Sequence, residues 1–557
     1  MIPADPPTSR PLLLGTRHMV STGHPLASVA ALRVLEAGGT AVDAGVAAGF
    51  ALNVLQPDMA NLGGVAPVIV FRADTRTVRT VSGIGVWPRL ATREAVAQAG
   101  GGRIPAGPGR WVVPAAVDAW LTTLRLHGTM TAAEVMAPAI ELAERGFPVN
   151  YFLRKNLLDA AGALAGFAHS REVFLPGGAV PAIGDVLRQE ALGGTLRHLA
   201  EAERAAGGTR EDGIRAARDA FYRGEIAERV GAFSREIGAF LRAEDLHGFA
   251  VREEAPAGVR YRRRQVLGCG PWCQGPALLQ MLNLVGGFPM GTLSEADAAH
   301  VMVESVKLAL TDRNRFYGDP DFTAVPLDRL LSAAHADALR GTIDMARAGD
   351  PETAAPVLER TSPDTTYACV VDAAGNAFSA TPSDSTMLLT PLVPGLGFAP
   401  SDRGLQASLD PADPNSILPG KRPRLTPSPV ILLEEDGSVM PCGTPGGDVQ
   451  TQALLQFLVH HLDRGMDLQA ATEAPRWASY AVPASEDPHA RRPRALKLEN
   501  SAGAAMAGDL ARRGHVVEHW PARAALAGGV CAVRRDARSG VVSGAADPRR
   551  MAVAIGR

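Results

Sequence analysis

Residues 364–383 read DTTYACVVDAAGNAFSATPS, and this stretch decides the fold. Residues 367–371 and 377–381 are apolar runs that favour β-strands, and the segment between them is typical of a turn. Gly375 can supply the left-handed position of a three-residue loop at 373–375. The stretch therefore predicts a β-hairpin in which Asp372 and Asn376 flank the loop.

The register of this hairpin brings two hydroxyl groups together. If Asp372 lies opposite Asn376, Ser383 lies directly across from Thr365. Directly opposed residues share a face of the sheet, with Cβ atoms about 4.5–5.5 Å apart. A β-bulge would shift this pairing by one residue. The sequence predicts a threonine–serine pair at the edge of a sheet.

A threonine hydroxyl is a poor nucleophile unless a base lies beside it. A free α-amine on Thr365 would supply that base, because its pKa is about 8. The Asp364–Thr365 bond must then break, most simply by attack of the Thr365 hydroxyl on the Asp364 carbonyl and hydrolysis of the ester. Residues 348–364 are polar with three prolines, a composition typical of an exposed, mobile segment. Taken alone, Asp-Thr-Thr is more often a simple strand start.

Residues 442–448, CGTPGGD, form a second candidate element of the site. They follow a predicted strand at 438–442 and precede a predicted helix at 449–462. Paired glycines, Gly446 and Gly447, let backbone N–H groups face a cleft at the positive end of a helix, which is how an oxyanion hole is built. A tight turn with Asp448 as the helix N-cap is the alternative. A phosphate loop is excluded because no Gly-Lys-Ser/Thr follows.

Composition limits the function classes. The chain has 557 residues, of which 46% are hydrophobic and 20% charged, a composition typical of a globular protein with a sizeable core. Its net charge of -2 gives no reason to expect nucleic acid or an anionic membrane as partner. The most apolar stretch, 41–55, is short for a membrane span and contains Asp43 and Asn53. The N-terminus lacks the long apolar core of a secretory signal. We therefore expect a soluble cytoplasmic protein.

Five cysteines argue against a disulfide framework, because their number is odd. Cys269 and Cys273 stand four apart, but no further ligands nearby complete a metal site. We expect the cysteines to be buried reduced thiols, and we expect neither a metal nor a cofactor.

The pattern of residues 117–242 predicts a mostly helical segment.

The chain as a whole resembles the γ-glutamyltransferase family of N-terminal-nucleophile hydrolases. The resemblance covers nearly the whole sequence, in motifs that follow in the family's order. These motifs are His24-Pro25-Leu26-Ala27-Ser28, Gly38-Gly39-Thr40-Ala41-Val42-Asp43-Ala44, Asn61-Leu62-Gly63-Gly64, Ala137-Pro138-Ala139-Ile140-Glu141-Leu142-Ala143, Gly146-Phe147-Pro148-Val149, Glu304, Lys307, Asp312, Arg313, Tyr317-Gly318-Asp319-Pro320, Pro419-Gly420-Lys421-Arg422-Pro423, Pro445-Gly446-Gly447, Ala474-Pro475-Arg476 and Gly544-Ala545-Ala546-Asp547-Pro548-Arg549-Arg550.

The resemblance implies an α+β fold, a four-layer αββα sandwich made as one precursor. Self-cleavage before Thr365 would give a large subunit, 1–364, including the helical lobe at about 117–242, and a small subunit, 365–557, and the two would form one body. Thr365 takes the place of the nucleophile and Ser383 that of a supporting threonine hydroxyl. Gly446 and Gly447 take the place of the oxyanion-hole glycines.

The positions that bind the γ-glutamyl group in the family differ here. The resemblance implies a substrate-binding role for six positions, and at most of them the residue type has changed. Two lost charge-assisted hydrogen bonds, at about 1.5–3 kcal/mol each, would weaken γ-glutamyl binding by roughly two to four decades. The replacements are Ile84 for an arginine, Ser385 for an asparagine, Arg403 at a glutamine-or-arginine position, Gln406 for an aspartate, and Leu425 and Thr426 for a serine pair.

Three functions follow from these residues. The first is an amidohydrolase or acyltransferase that forms an acyl-enzyme on Thr365 and passes a non-classical acyl group to water or an amine. Its substrate would be a small amide such as oxamate or a β-lactam side-chain amide, with Ile84, Trp87 and Trp272 as candidate walls. Attack on an activated C–C bond is a related option. The second is ordinary γ-glutamyl transfer or glutathione hydrolysis, and the third an uncleaved, non-enzymatic relative.

Overall fold

The computed structural model describes residues 8–350, 365–384 and 389–557. The predicted cleavage residue Asp364 and pocket residue Ser385 lie outside these ranges. The predicted hairpin is present as strands β10 (Ala368–Val371) and β11 (Ala377–Ala380). Val371 lies opposite Ala377, and Gly375 has a φ of 89°, so the predicted register and turn residue are confirmed.

The hairpin lies in the middle of a seven-stranded antiparallel sheet, the nucleophile sheet. Its two strands pair on their outer sides with strands from the first 72 residues. In spatial order the sheet consists of β19 (Val553–Gly556), β2 (Met19–Thr22), β10, β11, β3 (Val68–Arg72), β4 (Thr77–Val81) and β7 (Glu253–Glu254).

A second seven-stranded antiparallel sheet packs against the first. Its order is β1 (Leu13–Gly15), β18 (Val542–Ala546), β17 (Cys531–Arg535), β13 (Val439–Gly443), β12 (Val430–Leu433), β9 (Arg264–Gly268) and β8 (Ala257–Tyr261). Two smaller sheets are β14 (Trp477–Ser479), β15 (Ala495–Glu499) and β16 (Val516–Trp520), and β5 (Phe147–Pro148) with β6 (Val186–Leu187).

Successive side chains of the hairpin strands point alternately into two different hydrophobic cores. Cys369 and Val371 face the second sheet and pack with residues such as Ile431 and Val533. Val370 and Phe378 face the opposite way, into a helical layer. Because successive strand residues point to opposite faces, both faces of the nucleophile sheet are buried.

Helices cover both outer faces of the paired sheets. Helix α2 (Ala41–Leu55) begins after Thr40, which forms a capping box with Asp43, and its fifteen residues are all buried. A Cβ atom at Gly45 would lie 2.2 Å from the Phe378 ring, so glycine permits the close helix–sheet approach. Helices α12 (Gly275–Val285), α13 (Glu295–Phe316) and α16 (Val449–Leu462) cover the second sheet. The layer order is therefore αββα, as expected.

The remaining helices form the lobe and the connections. Residues 117–242 are mostly helical, as predicted. The helices are α1 (Pro25–Glu36), α2 (Ala41–Leu55), α3 (Arg93–Ala99), α4 (Ala116–His127), α5 (Ala132–Arg145), α6 (Tyr151–Ala165), α7 (Ala168–Phe174), α8 (Glu190–Ala206), α9 (Arg210–Tyr222), α10 (Glu225–Glu236), α11 (Ala243–His247), α12 (Gly275–Val285), α13 (Glu295–Phe316), α14 (Leu327–Leu330), α15 (Ala333–Arg340), α16 (Val449–Leu462), α17 (Leu468–Glu473) and α18 (Ala504–Arg512). Among the described residues, no helix is both long and apolar enough to cross a bilayer.

Candidate active site

The two hydroxyl groups predicted to meet are in hydrogen-bond contact. Thr365 Oγ1 lies 2.8 Å from Ser383 Oγ, and the two residues form an antiparallel bridge. Ser383 is also held by Val65, since its N–H donates to the Val65 carbonyl at 2.9 Å and its carbonyl accepts from the Val65 N–H at 3.2 Å. Both hydroxyl-bearing residues are buried. Backbone pairing on two sides thus fixes Ser383 beside Thr365.

Arg403 places a buried positive charge against this hydroxyl pair. It begins a single 3-10 turn, Arg403–Gln406, and its Nη2 donates a hydrogen bond to Ser383 Oγ. The carboxylate of the preceding residue, Asp402, forms an ion pair with Arg110, with an N–O distance of 2.6 Å. The family resemblance implies that Arg403 binds substrate. No feature of the sequence predicts its hydrogen bond to Ser383.

Gln406 and Thr426 bind each other. Gln406 Nε2 donates to Thr426 Oγ1 at 3.2 Å, and the Thr426 N–H donates to Gln406 Oε1 at 3.0 Å. Both residues are fully buried. This neutral pair carries no negative charge that could hold the α-ammonium of a glutamyl group.

Ile84 and Leu425 belong to a small apolar cluster, together with Val65 and Trp272. Leu425 is fixed there because its N–H donates to the Trp272 carbonyl at 3.1 Å. Trp87 packs in a different cluster, so of the two candidate tryptophan walls only Trp272 lies beside Ile84. Where the family resemblance implies an arginine that binds the α-carboxylate of the glutamyl group, this chain has the buried apolar side chain of Ile84.

The glycine pair forms the turn between β13 and α16. Gly446 has a φ of 128° and Gly447 a φ of 56°, conformations that favour glycine. Their carbonyls accept from the N–H groups of Val449 and Gln450 in the first turn of α16. Within the described ranges, neither glycine N–H donates to a protein acceptor. Two such donors at a helix N-terminus can stabilise an oxyanion.

Asp448 stands at the N-cap position of α16, but its carboxylate does not cap the helix. It accepts from the N–H and the hydroxyl of Ser485, both at 2.7 Å, and forms an ion pair with Arg313. Burial by itself raises the pKa of Asp448, but Arg313 and the Ser485 hydrogen bonds outweigh it and hold that pKa below the ordinary value. Asp448 is therefore the N-cap residue by position, as the alternative expected, but its carboxylate binds Ser485 and Arg313 and not the first turn of the helix.

The nucleophile and glycine segments leave the sandwich at the same edge. A Cβ atom at Gly443 would lie 2.1 Å from the ring of Tyr367, so these two residues are in close contact. Tyr367 lies two residues after Thr365, and Gly443 lies three residues before Gly446. Next to this edge is a cavity of about 110 Å³. Four of the predicted site residues contribute to its wall: Gln406, Thr426, Gly446 and Gly447.

In the part of the chain that the structure describes, one group of side chains has the spacing of a metal site. It consists of His300, Glu304 and His515, which are all buried. The Lys307 ammonium donates to Glu304 at 2.5 Å and already neutralises this carboxylate. We assign this cluster no metal. All five cysteines are buried free thiols, as expected.

Comparison with known proteins gives a consistent result. The family model described as Gamma-glutamyltranspeptidase matches residues 27–556. The Acylase ACY 1 proenzyme of Pseudomonas sp. (strain SE83) is 33% identical over 96% of this chain and 92% of its own length. The Oxamate amidohydrolase proenzyme of Klebsiella pneumoniae is 31% identical over 98% of this chain and 99% of its own. A solved structure of LmbA2991, 37% identical, covers 99% of this chain and 100% of its own with a TM-score of 0.91. The chain therefore belongs to the gamma-glutamyltranspeptidase family and is an amidohydrolase of that family's proenzyme type.

Proposed function

We propose that the protein cleaves itself between Asp364 and Thr365 and then hydrolyses or transfers an acyl group other than γ-glutamyl, with Thr365 as nucleophile. The observation that carries this proposal is the 2.8 Å contact between the Thr365 and Ser383 hydroxyls at the start of the central hairpin. The glycine turn at the same edge supports it, because it offers two backbone donors for an oxyanion.

Maturation begins with attack of Thr365 Oγ1 on the Asp364 carbonyl. The peptide bond becomes an ester, and water then hydrolyses this ester to leave the Asp364 carboxylate and a free α-amine on Thr365. In each later turnover the α-amine takes the hydroxyl proton, and Oγ1 attacks the substrate amide. The N–H groups of Gly446 and Gly447 stabilise the tetrahedral oxyanion. The amine leaves with a proton, and water or a second amine releases the acyl group.

The pocket argues against a γ-glutamyl substrate. Ile84 lies in an apolar cluster, and Gln406 with Thr426 forms a neutral, internally hydrogen-bonded pair. A γ-glutamyl group would leave its α-carboxylate and α-ammonium without the charged partners that the family uses. The names of two relatives, an acylase and an oxamate amidohydrolase, are in keeping with a different acyl group.

Intact-mass spectrometry under denaturing conditions tests the nucleophile. We expect the wild-type protein to give two chains, 1–364 and 365–557, and the Thr365→Ala variant to give one folded, inactive chain. Thr366→Ala is the matched control, because this adjacent buried threonine donates to Gln56 instead of to Ser383. Maturation of Thr365→Ala would show that the nucleophile is misassigned. Efficient turnover of γ-glutamyl-p-nitroanilide would favour the classical transferase instead, and a wild-type chain that stays uncut and inactive would favour a non-enzymatic relative.

A further inference from the structure

A buried positive charge lies close to the proposed nucleophile. Arg403 Nη2 donates to Ser383 Oγ, and this oxygen lies 2.8 Å from Thr365 Oγ1. The guanidinium is therefore at most about 6 Å, two hydrogen-bond lengths, from the attacking oxygen. Arg403 is 1% exposed, so water screens its charge little.

A buried apolar cluster adjoins the hydroxyl pair through Val65. Val65, whose backbone pairs with Ser383, packs with Ile84 and Leu425 in one buried cluster. An acyl chain that runs along this cluster meets the hydrocarbon side chains of Val65, Ile84 and Leu425. Burying an unpaired carboxylate against hydrocarbon is strongly unfavourable.

We propose, building on the function proposed above, that Arg403 selects an acyl group whose carboxylate is attached to the scissile carbonyl directly or through one or two methylene groups. The substrates are then amides of short dicarboxylic acids. Such a group can place its carbonyl at Thr365 and its carboxylate on the guanidinium at once. Arginine suits this role because its planar fork binds both carboxylate oxygens.

A chain-length series tests the inference on the mature wild-type enzyme. Ammonia release would be measured from oxamate, malonamate, succinamate and glutaramate, with the neutral diamides oxamide, malonamide and succinamide as matched comparators. We expect kcat/KM for the two- to four-carbon acids to exceed that of the diamides by about 10- to 100-fold, the value of one charge-assisted hydrogen bond. We expect it to fall at glutaramate.

Substitution at Arg403 provides a second readout. Arg403→Gln should lower the ratio of acid to diamide kcat/KM at least tenfold through KM, and Arg403→Lys should retain part of it. Arg424→Gln is the matched control, because Arg424 is also buried but donates to Ser485, not to Ser383. This control should leave the ratio unchanged. If Arg403→Gln fails to mature, the wild-type series alone decides the question.

The outcomes separate this inference from the proposed function. A mature enzyme that hydrolyses diamides as well as acids, or glutaramate faster than succinamate, overturns the inference and leaves Thr365 as the nucleophile. An unchanged ratio in a matured Arg403→Gln variant also overturns it. A mature enzyme without activity on any amide overturns both.

Discussion

Ser383 connects three groups at the residue scale. Its backbone is held by Val65, and its hydroxyl lies between Thr365 and Arg403. A hydroxyl that accepts from a cation donates more readily to the oxygen on its other side. Ser383 is thus suited to stabilise the Thr365 oxygen as it becomes a nucleophile or a leaving group.

Ser383→Ala should slow both self-cleavage and turnover by about 10- to 100-fold, because a hydrogen bond to a developing charge contributes about 1.5–3 kcal/mol. The processed fraction over time and kcat measure the two effects. Ser383→Thr keeps the hydroxyl and should restore most of both rates. Wild-type rates in the alanine variant would remove Ser383 from the mechanism.

The hydroxyl pair was predictable from the sequence because it depends on local geometry. A single tight turn joins Thr365 to Ser383, so one register decides whether they meet. The contacts of Arg403 with Ser383 and of Gln406 with Thr426 are made by irregular loops, in which no periodicity reports side-chain direction. The partner of Asp448 was missed for a similar reason, since Arg313 lies 135 residues earlier in the chain.

At the scale of elements, the turn between β13 and α16 supplies the proposed oxyanion donors. Its backbone conformation depends on Gly446, whose φ of 128° is unfavourable for residues with a Cβ atom. An added Cβ would meet no clash, since the nearest atom is Val449 Cβ at 3.5 Å. A substitution there perturbs the backbone conformation without overpacking the core.

Gly446→Ala should lower the unfolding free energy by about 1–3 kcal/mol, because alanine is strained at this φ. It should also lower kcat at least about tenfold, because a rotated peptide group would direct its N–H away from the oxyanion. Gly503→Ala is the control. Gly503 has a φ of 85° with open space around it, and it precedes α18, away from the site. The two variants should be similarly destabilised, and only Gly446→Ala should lose kcat. Equal kcat values would argue against an oxyanion role for this turn.

Single elements were easier to predict than their arrangement. Helix α16 has the expected bounds, because apolar periodicity is a local signal. The capping boxes at Thr40 and Thr131 are local in the same way, since each joins residues three apart. Strand order was not predictable from local pattern. Strand β2 pairs with β10 and β19, and these partners lie more than 340 residues away in the chain. The αββα layering was expected through the family resemblance.

At the scale of the whole molecule, buried histidines couple stability to pH. Burial lowers the pKa of His24 and His460 to about 4 and that of His515 to about 3. The unfolded chain binds a proton at each histidine near pH 6.5, whereas the folded protein does not. The stabilising contribution of neutral burial is therefore complete above about pH 6.5 and is lost as the pH falls towards 4.

The unfolding free energy should fall between pH 7 and pH 5, by up to about 1.4 kcal/mol per pH unit for each histidine. Urea unfolding of the Thr365→Ala variant, expected to be a single chain, would measure it. His460→Gln should reduce the slope by about one histidine's share, because glutamine does not titrate in this range. Greater stability at pH 5 than at pH 7 would contradict the prediction.

Both large sheets contain strands from each of the proposed subunits, and this determines how the processed protein behaves. In the nucleophile sheet, β10 and β11 lie between β2 and β3, and in the second sheet β12 pairs with β9. Separating chains 1–364 and 365–557 would break these backbone ladders and expose the core between the sheets.

We therefore expect cleavage without dissociation. Each exposed core side chain would cost about 1.5–3 kcal/mol, and each strand would leave its N–H and C=O groups unpaired. Native mass spectrometry of the processed protein should show both chains in every particle, whereas denaturing conditions should release them separately. Dilution in buffer without denaturant provides the sharpest challenge. If either chain then appeared alone and folded, the two subunits could not form the single sandwich that the sheet order requires.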